Sequence, residues 1–218
     1  MRLRFTILFG LVAVTSSITA GTNSPITVVS YDDKFAEQAS ALQKRGFNFD
    51  QILSELCKTA LADVEKNPRL LLDDHIRSVF GGLWLWTRRG GSPALQGRND
   101  WALHFIGGGA FEGYWDAGRT AAVAKEKIDS TDPNNFYDLD DLAATMLGSR
   151  WIDLAVNTDD TKGRRWIESW ATGKLTLSRS LPTLKFGHLP PGQQATSEQI
   201  RAIRAAVESA LTVPSDSR

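Results

Sequence analysis

Asp100 and His104 stand four residues apart in the stretch Asp100-Trp101-Ala102-Leu103-His104-Phe105. On a helix that spacing puts both on one face. A carboxylate beside an imidazole orients the ring and raises its basicity, which suits a general base or a metal ligand. It equally suits a plain pair near a helix start, with Asn99 or Asp100 as the cap. A second group follows at Lys125-Glu126-Lys127-Ile128-Asp129, where Glu126 and Asp129 share a face and Lys125 pairs with Asp129. A third is Asp138-Leu139-Asp140-Asp141. There Asp138 is placed to cap a helix and Asp141 to close a capping box, which leaves Asp140 over. One imidazole with several carboxylates offers acid–base chemistry or a divalent-ion site. The candidate catalytic set is His104, Asp100, Glu126, Asp129 and Asp141. The candidate metal set is His104, Glu126 and Asp129. A divalent metal is the one cofactor such a set would take. His188, in Lys185-Phe186-Gly187-His188, sits in a Pro/Gly-rich loop and reads as a solvated side chain.

Between these groups lies Gly107-Gly108-Gly109, with Gly113 beyond. Each glycine costs a helix ~1 kcal/mol relative to alanine. Such density points to another helix crossing very closely. A phosphate loop is excluded, because neither a Gly-Lys-Ser/Thr ending nor a preceding strand is present.

The order of these motifs resembles the VanZ-like and YfiM-like envelope proteins. In them an Asp-x-x-x-His-Phe type helix is followed by Lys-Glu-x-x-Asp and then by Asp-Leu-x-Ala-Asn-x-x-Gly. The matching positions are Asp100, His104, Phe105, Lys125, Glu126, Asp129, Asp141, Leu142, Ala144 and Gly148, within 99–156. Thr145 stands where that family often has Asn. The lipid-attachment cysteine of its lipoprotein members is missing, and the helices are too polar for its membrane-embedded ones. The resemblance implies an envelope location and a shared polar cluster of Asp100, His104, Glu126, Asp129 and Asp141. It implies no reaction.

The elements that must position these groups read as helices. Asp32 to Gln43 forms a short one closed by Gly46. Behind a capping Asn48, the residues Ile52, Leu53, Leu56, Cys57, Ala60, Leu61 and Val64 recur at helical intervals until Asn67-Pro68. Cys57, the single cysteine, lies on that apolar stripe and reads as a packing thiol. Leu71 to Arg88 is another helix, followed by a Gly/Ser/Pro loop up to Gly97. Trp84 and Trp86 read as packing residues. Three helices joined by tight turns fill 99–156. Arg164 to Gly173 is a short amphipathic helix, and Leu175 to Leu177 reads as extended. Thr196-Ser197-Glu198-Gln199 is a capping box that opens the last helix.

At the N-terminus, Arg2 and Arg4 precede the short apolar run Phe5 to Val14, and Ile18-Thr19-Ala20 offers a cleavage tripeptide. This is the pattern of a secretory signal, too short to span a bilayer. The expected plan is a signal peptide at 1–20, a linker or edge strand at 21–33, a helical domain at 34–212 and a frayed tail at 213–218. The fold class is mainly α, one compact domain of about six to eight helices. No later segment reaches the ~18 apolar residues of a membrane span. Lys+Arg and Asp+Glu both number 25, so no net charge draws the chain to nucleic acid. The expected location is periplasmic or secreted.

Three functions compete on this reading. The first is an envelope protein, structural or binding a small polar ligand. The second is a hydrolase using His104 with Glu126 and Asp129, as acid–base groups or round a divalent ion. The third is a secreted toxin or effector. No His-Glu-x-x-His or Gly-x-Ser-x-Gly motif occurs, which favours the first.

Overall fold

The computed structural model describes residues 30–95, 97–131, 136–156, 160–180 and 185–211. The expected signal segment, the β-like run at 26–29, the turn at 132–135 and the C-terminal tail lie outside the described residues. What remains is one compact all-α domain. Its helices are α1 (Tyr31–Lys44), α2 (Phe49–Lys66), α3 (Leu72–Arg88), α4 (Asn99–Trp115), α5 (Gly118–Asp129), α6 (Leu139–Val156), α7 (Asp160–Ala171), the single turn α8 (Leu177–Ser180) and α9 (Ser197–Ala210).

Local sequence explains most of the boundaries. The Ser30 hydroxyl accepts from Asp33 N–H, so α1 begins at Tyr31 and the helical part starts before residue 34. Asn48 and Gln51 form a full capping box at α2, and Thr196 and Gln199 form another at α9. Gly81 and Gly82 do not interrupt α3, which runs through Trp84 and Trp86 to Arg88. Tertiary packing decides this, since α1 lies so close that a Cβ on Gly82 would press into the Asp32 carbonyl and Phe35. Leu177 opens a helical turn, not a strand, because its N–H is held by the Asp50 carboxylate at 2.7 Å. Cys57 is fully buried on the inner face of α2, and burial pushes its thiol up to about 12. It is a packing residue.

The centre of the domain is α6, from which Leu142, Ala143, Ala144, Met146, Leu147, Trp151 and Ile152 are buried. A helix apolar on nearly every side must be surrounded. Helices α3, α4, α5, α7 and α9 all pack on it. Phe80 of α3 meets Phe105 of α4 at 5.6 Å and Trp151 of α6 at 5.2 Å between ring centroids. Trp166 and Trp170 of α7 also pack against Trp151.

The most extensive pairing joins α4 to α6. A Cβ on Gly108 would collide with the Thr145 carbonyl, and one on Gly148 with the Phe105 carbonyl. Backbone therefore lies against backbone, and no side chain larger than hydrogen fits between. Gly107 differs, because a Cβ there would meet only the Trp84 ring at an ordinary 3.7 Å. Gly148→Ala is accordingly expected to cost about 3 kcal/mol or more, since neither backbone can yield. Gly107→Ala should stabilise by about 1 kcal/mol through helix propensity. Urea unfolding of both variants checks the contrast.

At the α1–α3 contact His75 is 2% exposed, in tilted contact with the Tyr31 ring at 4.2 Å between centroids, with Nε2 lacking a partner among the described residues. Burial lowers its pKa below the ordinary 6.5, against the opposing pull of Asp63 and Asp74, while Lys34 adds to the lowering. The folded state thus resists a proton that the unfolded state accepts. Stability is fully present above about pH 6.5 and is lost as pH falls below it. Unfolding free energy measured from pH 7.5 to 5 should fall in the wild type and fall less steeply in His75→Phe.

Candidate functional site

Three helices meet where α4 crosses the start of α6. His104 projects from α4, Glu126 from α5, and Asp141 and Thr145 from α6. His104 Nε2 lies 3.1 Å from Asp141 Oδ2, and Nδ1 lies 2.9 Å from Thr145 Oγ1. The Thr145 hydroxyl donates its proton to the Asp141 carbonyl at 2.9 Å. Thr145 follows Asp141 by one helical turn, so the imidazole lies along two successive turns of α6. One ligand atom each from His104, Glu126 and Asp141 lies within 4.8 Å of the others. A divalent ion is the kind of occupant that such a set can hold.

Glu126 is 1% exposed. Lys125 Nζ bonds its Oε1 at 2.6 Å, and Asp138 N–H bonds its Oε2 at 3.1 Å. Burial still raises its pKa, although the charges of Lys125 and His104 pull the other way. Burial by itself would lower Lys125, but Glu126 and Asp129 outweigh it and the net shift is upward. Tyr137 stands behind this group, 1% exposed, its hydroxyl without a partner among the described residues. Burial and the Glu126 charge both raise the phenol pKa.

The acidic run that opens α6 divides its work. Asp138 Oδ1 accepts from Asp140 N–H at 2.9 Å and from Asp141 N–H at 3.1 Å, so it caps the helix as expected. Asp141 does not complete the box. The Asp138 N–H that it would bind is taken by Glu126, and Asp141 turns to His104 instead. Asp140 Oδ1 receives Phe186 N–H at 2.6 Å and Gly187 N–H at 3.0 Å. This clasps the 185–189 segment, which also bridges Asp138 through His188 and bonds Leu139 and Tyr137. His188 stacks on Phe136 at 4.5 Å, outside the cluster.

Two expected members are elsewhere. Asp100 does not orient His104. It is exposed and held by Arg98, whose Nη2 reaches Oδ2 at 2.6 Å, and that bond keeps its pKa low. Neither Asn99 nor Asp100 caps α4, whose N-cap is Arg98 without a side-chain bond. Asp129 belongs to Lys125, at 2.7 Å, and is outside the His104 group. Asp141 replaces it. Residue spacing missed Thr145, Arg98 and Tyr137. The four-residue step from Asp141 to Thr145 was a signal for the first.

Thr145, His104 and Asp141 line up as hydroxyl, imidazole and carboxylate. The hydroxyl is no nucleophile, being 8% exposed in mid-helix with its proton committed to a backbone carbonyl. The arrangement instead fixes the ring and aims Nε2 at two carboxylates.

No family model, curated protein or solved structure matches this chain.

The geometry separates coupled from independent residues. His104→Ala and Asp141→Ala, combined, should deviate from additivity by ~1–3 kcal/mol in unfolding free energy, as partners in one network do. His104→Ala with Glu65→Ala, at the exposed Glu65–Arg164 pair, should be additive within ~0.5 kcal/mol. A double-mutant cycle by urea unfolding reads both.

Proposed function

We propose that this chain is an exported cell-envelope protein whose α4–α5–α6 cluster binds a small polar ligand. The observation that carries the reading is the convergence of His104, Glu126 and Asp141, from three helices, in a mostly buried setting. Buried ionisable groups are costly unless each has a partner. Charge sets the ligand's character. Among the described residues, the carboxylates of Asp100, Glu126, Asp129, Asp140 and Asp141 form ion pairs with two basic side chains, Arg98 and Lys125, and Asp138 stands beside Asp140 and Asp141. That excess favours a cationic or donor-rich ligand over phosphate or another anion.

Binding is preferred to hydrolysis on a specific ground. The hydrolase reading set Glu126 and Asp129 beside His104; Glu126 lies there, but Lys125 holds the Asp129 carboxylate elsewhere. Envelope residence rests on the charged n-region and short apolar segment of the sequence, and on the resemblance of 99–156 to VanZ-like and YfiM-like proteins. No helix among the described residues is long and apolar enough to cross a membrane.

The chain recovered from an envelope fraction should begin near Gly21 when its N-terminus is sequenced. An intact Met1 on cytosolic material would contradict export. Ligand binding is read separately by thermal shift, with a panel of small cations and polyols. A stabiliser should raise the melting temperature of the wild type and leave Glu126→Gln unmoved.

A further inference from the structure

The bonding round His104 narrows the ligand further, on the premise that the cluster is a binding site. Thr145 has one hydroxyl proton, and it lies on the Asp141 carbonyl. The Thr145 oxygen can therefore only accept from His104, which makes Nδ1 the protonated nitrogen of the bond at 2.9 Å. When the ring carries only that proton, its Nε2 lone pair faces Asp141 Oδ2, 3.1 Å away, with Glu126 close by. Two acceptors in contact need a positive centre between them. The second carboxylate oxygen, Asp141 Oδ1, is buried and has no hydrogen-bond partner among the described residues. The nearest Arg98 nitrogen is 3.6 Å from it. A proton on Nε2 would relieve one contact and leave Oδ1 as it is. A metal ion would draw on the imidazole and both carboxylates together.

We propose that His104 Nε2, Glu126 and Asp141 hold one divalent first-row transition ion, with Thr145 as the residue that positions the imidazole. Ligands ~2.1 Å from a tetrahedral ion stand ~3.4 Å apart. A set already within 4.8 Å reaches that spacing by side-chain rotation. The donor types choose the class of ion. Imidazole with carboxylate suits zinc, manganese or ferrous iron, whereas magnesium and calcium prefer oxygen donors throughout. Thr145 fills the outer role that ligating histidines require, a fixed acceptor for the far N–H. Lys125 and Asp138 N–H hold Glu126 in the same way.

Zinc is the probe. Chelator-stripped full-length protein, titrated by calorimetry in competition with a weak chelator, should take up one zinc ion. Magnesium or calcium at the same concentrations should not displace it. Asp141→Asn keeps the side-chain shape and should weaken zinc by more than ~100-fold, and Thr145→Val by ~10-fold or more. Thr145→Ser should restore affinity, and Glu65→Gln, at the exposed Glu65–Arg164 pair, should leave it unchanged. Metal-free melting of each variant separates misfolding from lost ligation, since a structural role for Thr145 would move that melting as much as the affinity. Absence of zinc uptake by folded wild type, or uptake undiminished in Asp141→Asn, overturns the proposal. If His104 and Asp141 remain energetically coupled without zinc uptake, the polar-ligand reading survives the loss of the metal. If the coupling is absent as well, both fall.

Discussion

The backbone contact between α4 and α6 at Gly108 and Gly148 is the constraint on which the remaining structure depends. Helices whose side chains meet keep axes some 8–10 Å apart, and glycines at the crossing let them come closer. His104 precedes Gly108 by four residues, and Thr145 precedes Gly148 by three. The imidazole consequently enters α6 one turn from the crossing, where Thr145 and Asp141 receive it. Helix α5 is drawn in by a related contact. Gly118 lies against the Gly108 carbonyl, and its N–H donates to the buried Glu112 carboxylate at 2.9 Å. Ser149 of α6 donates to the same oxygen at 2.6 Å. One end of α5 is pinned by Glu112, and the other carries Glu126 into the His104 cluster.

Close approach has a cost, because it traps polar groups away from water. Each one there must be satisfied or must carry a ligand. Most are satisfied. Glu112 has Ser149 and Gly118, Glu126 has Lys125 and Asp138 N–H, and Asp140 has the 186–187 backbone. Among the described residues, Asp141 Oδ1 and the Tyr137 hydroxyl beside His104 and Glu126 are buried without a hydrogen-bond partner, as are His75 Nε2 and the indole nitrogens of Trp86, Trp101, Trp151 and Trp170. The clasp from Asp140 to 186–187 ties the later chain to the start of α6.

The helices were legible because their signals are local. The Asn48 and Thr196 caps, the stripe from Ile52 to Val64 and the Gly107–Gly109 cluster each declare themselves within one element. The site was only half legible because its bonds cross between elements. Spacing paired Asp100 with His104, but Arg98 stands two residues from Asp100 and claims it through an almost immediate contact. Spacing gave Asp141 to the Asp138 cap, and only the fold reveals that Glu126 takes the N–H which that box needs. The Lys125–Asp129 pair was visible because it lies on one helix. Thr145 was read only as a departure from the resembled motif, because a hydroxyl on a buried face looks like packing until a histidine arrives from another helix.

The central claim is that His104 is held by α6 through a protonated Nδ1, with Nε2 turned to Asp141 and Glu126. Long-range proton–nitrogen correlation of the ¹⁵N-labelled imidazole, at neutral pH in metal-free protein, tests it most directly. The account predicts a protonated, slowly exchanging Nδ1 with a dipolar contact to the Thr145 side chain. A neutral ring protonated only on Nε2, or a ring exchanging as freely as a solvated histidine, would contradict it.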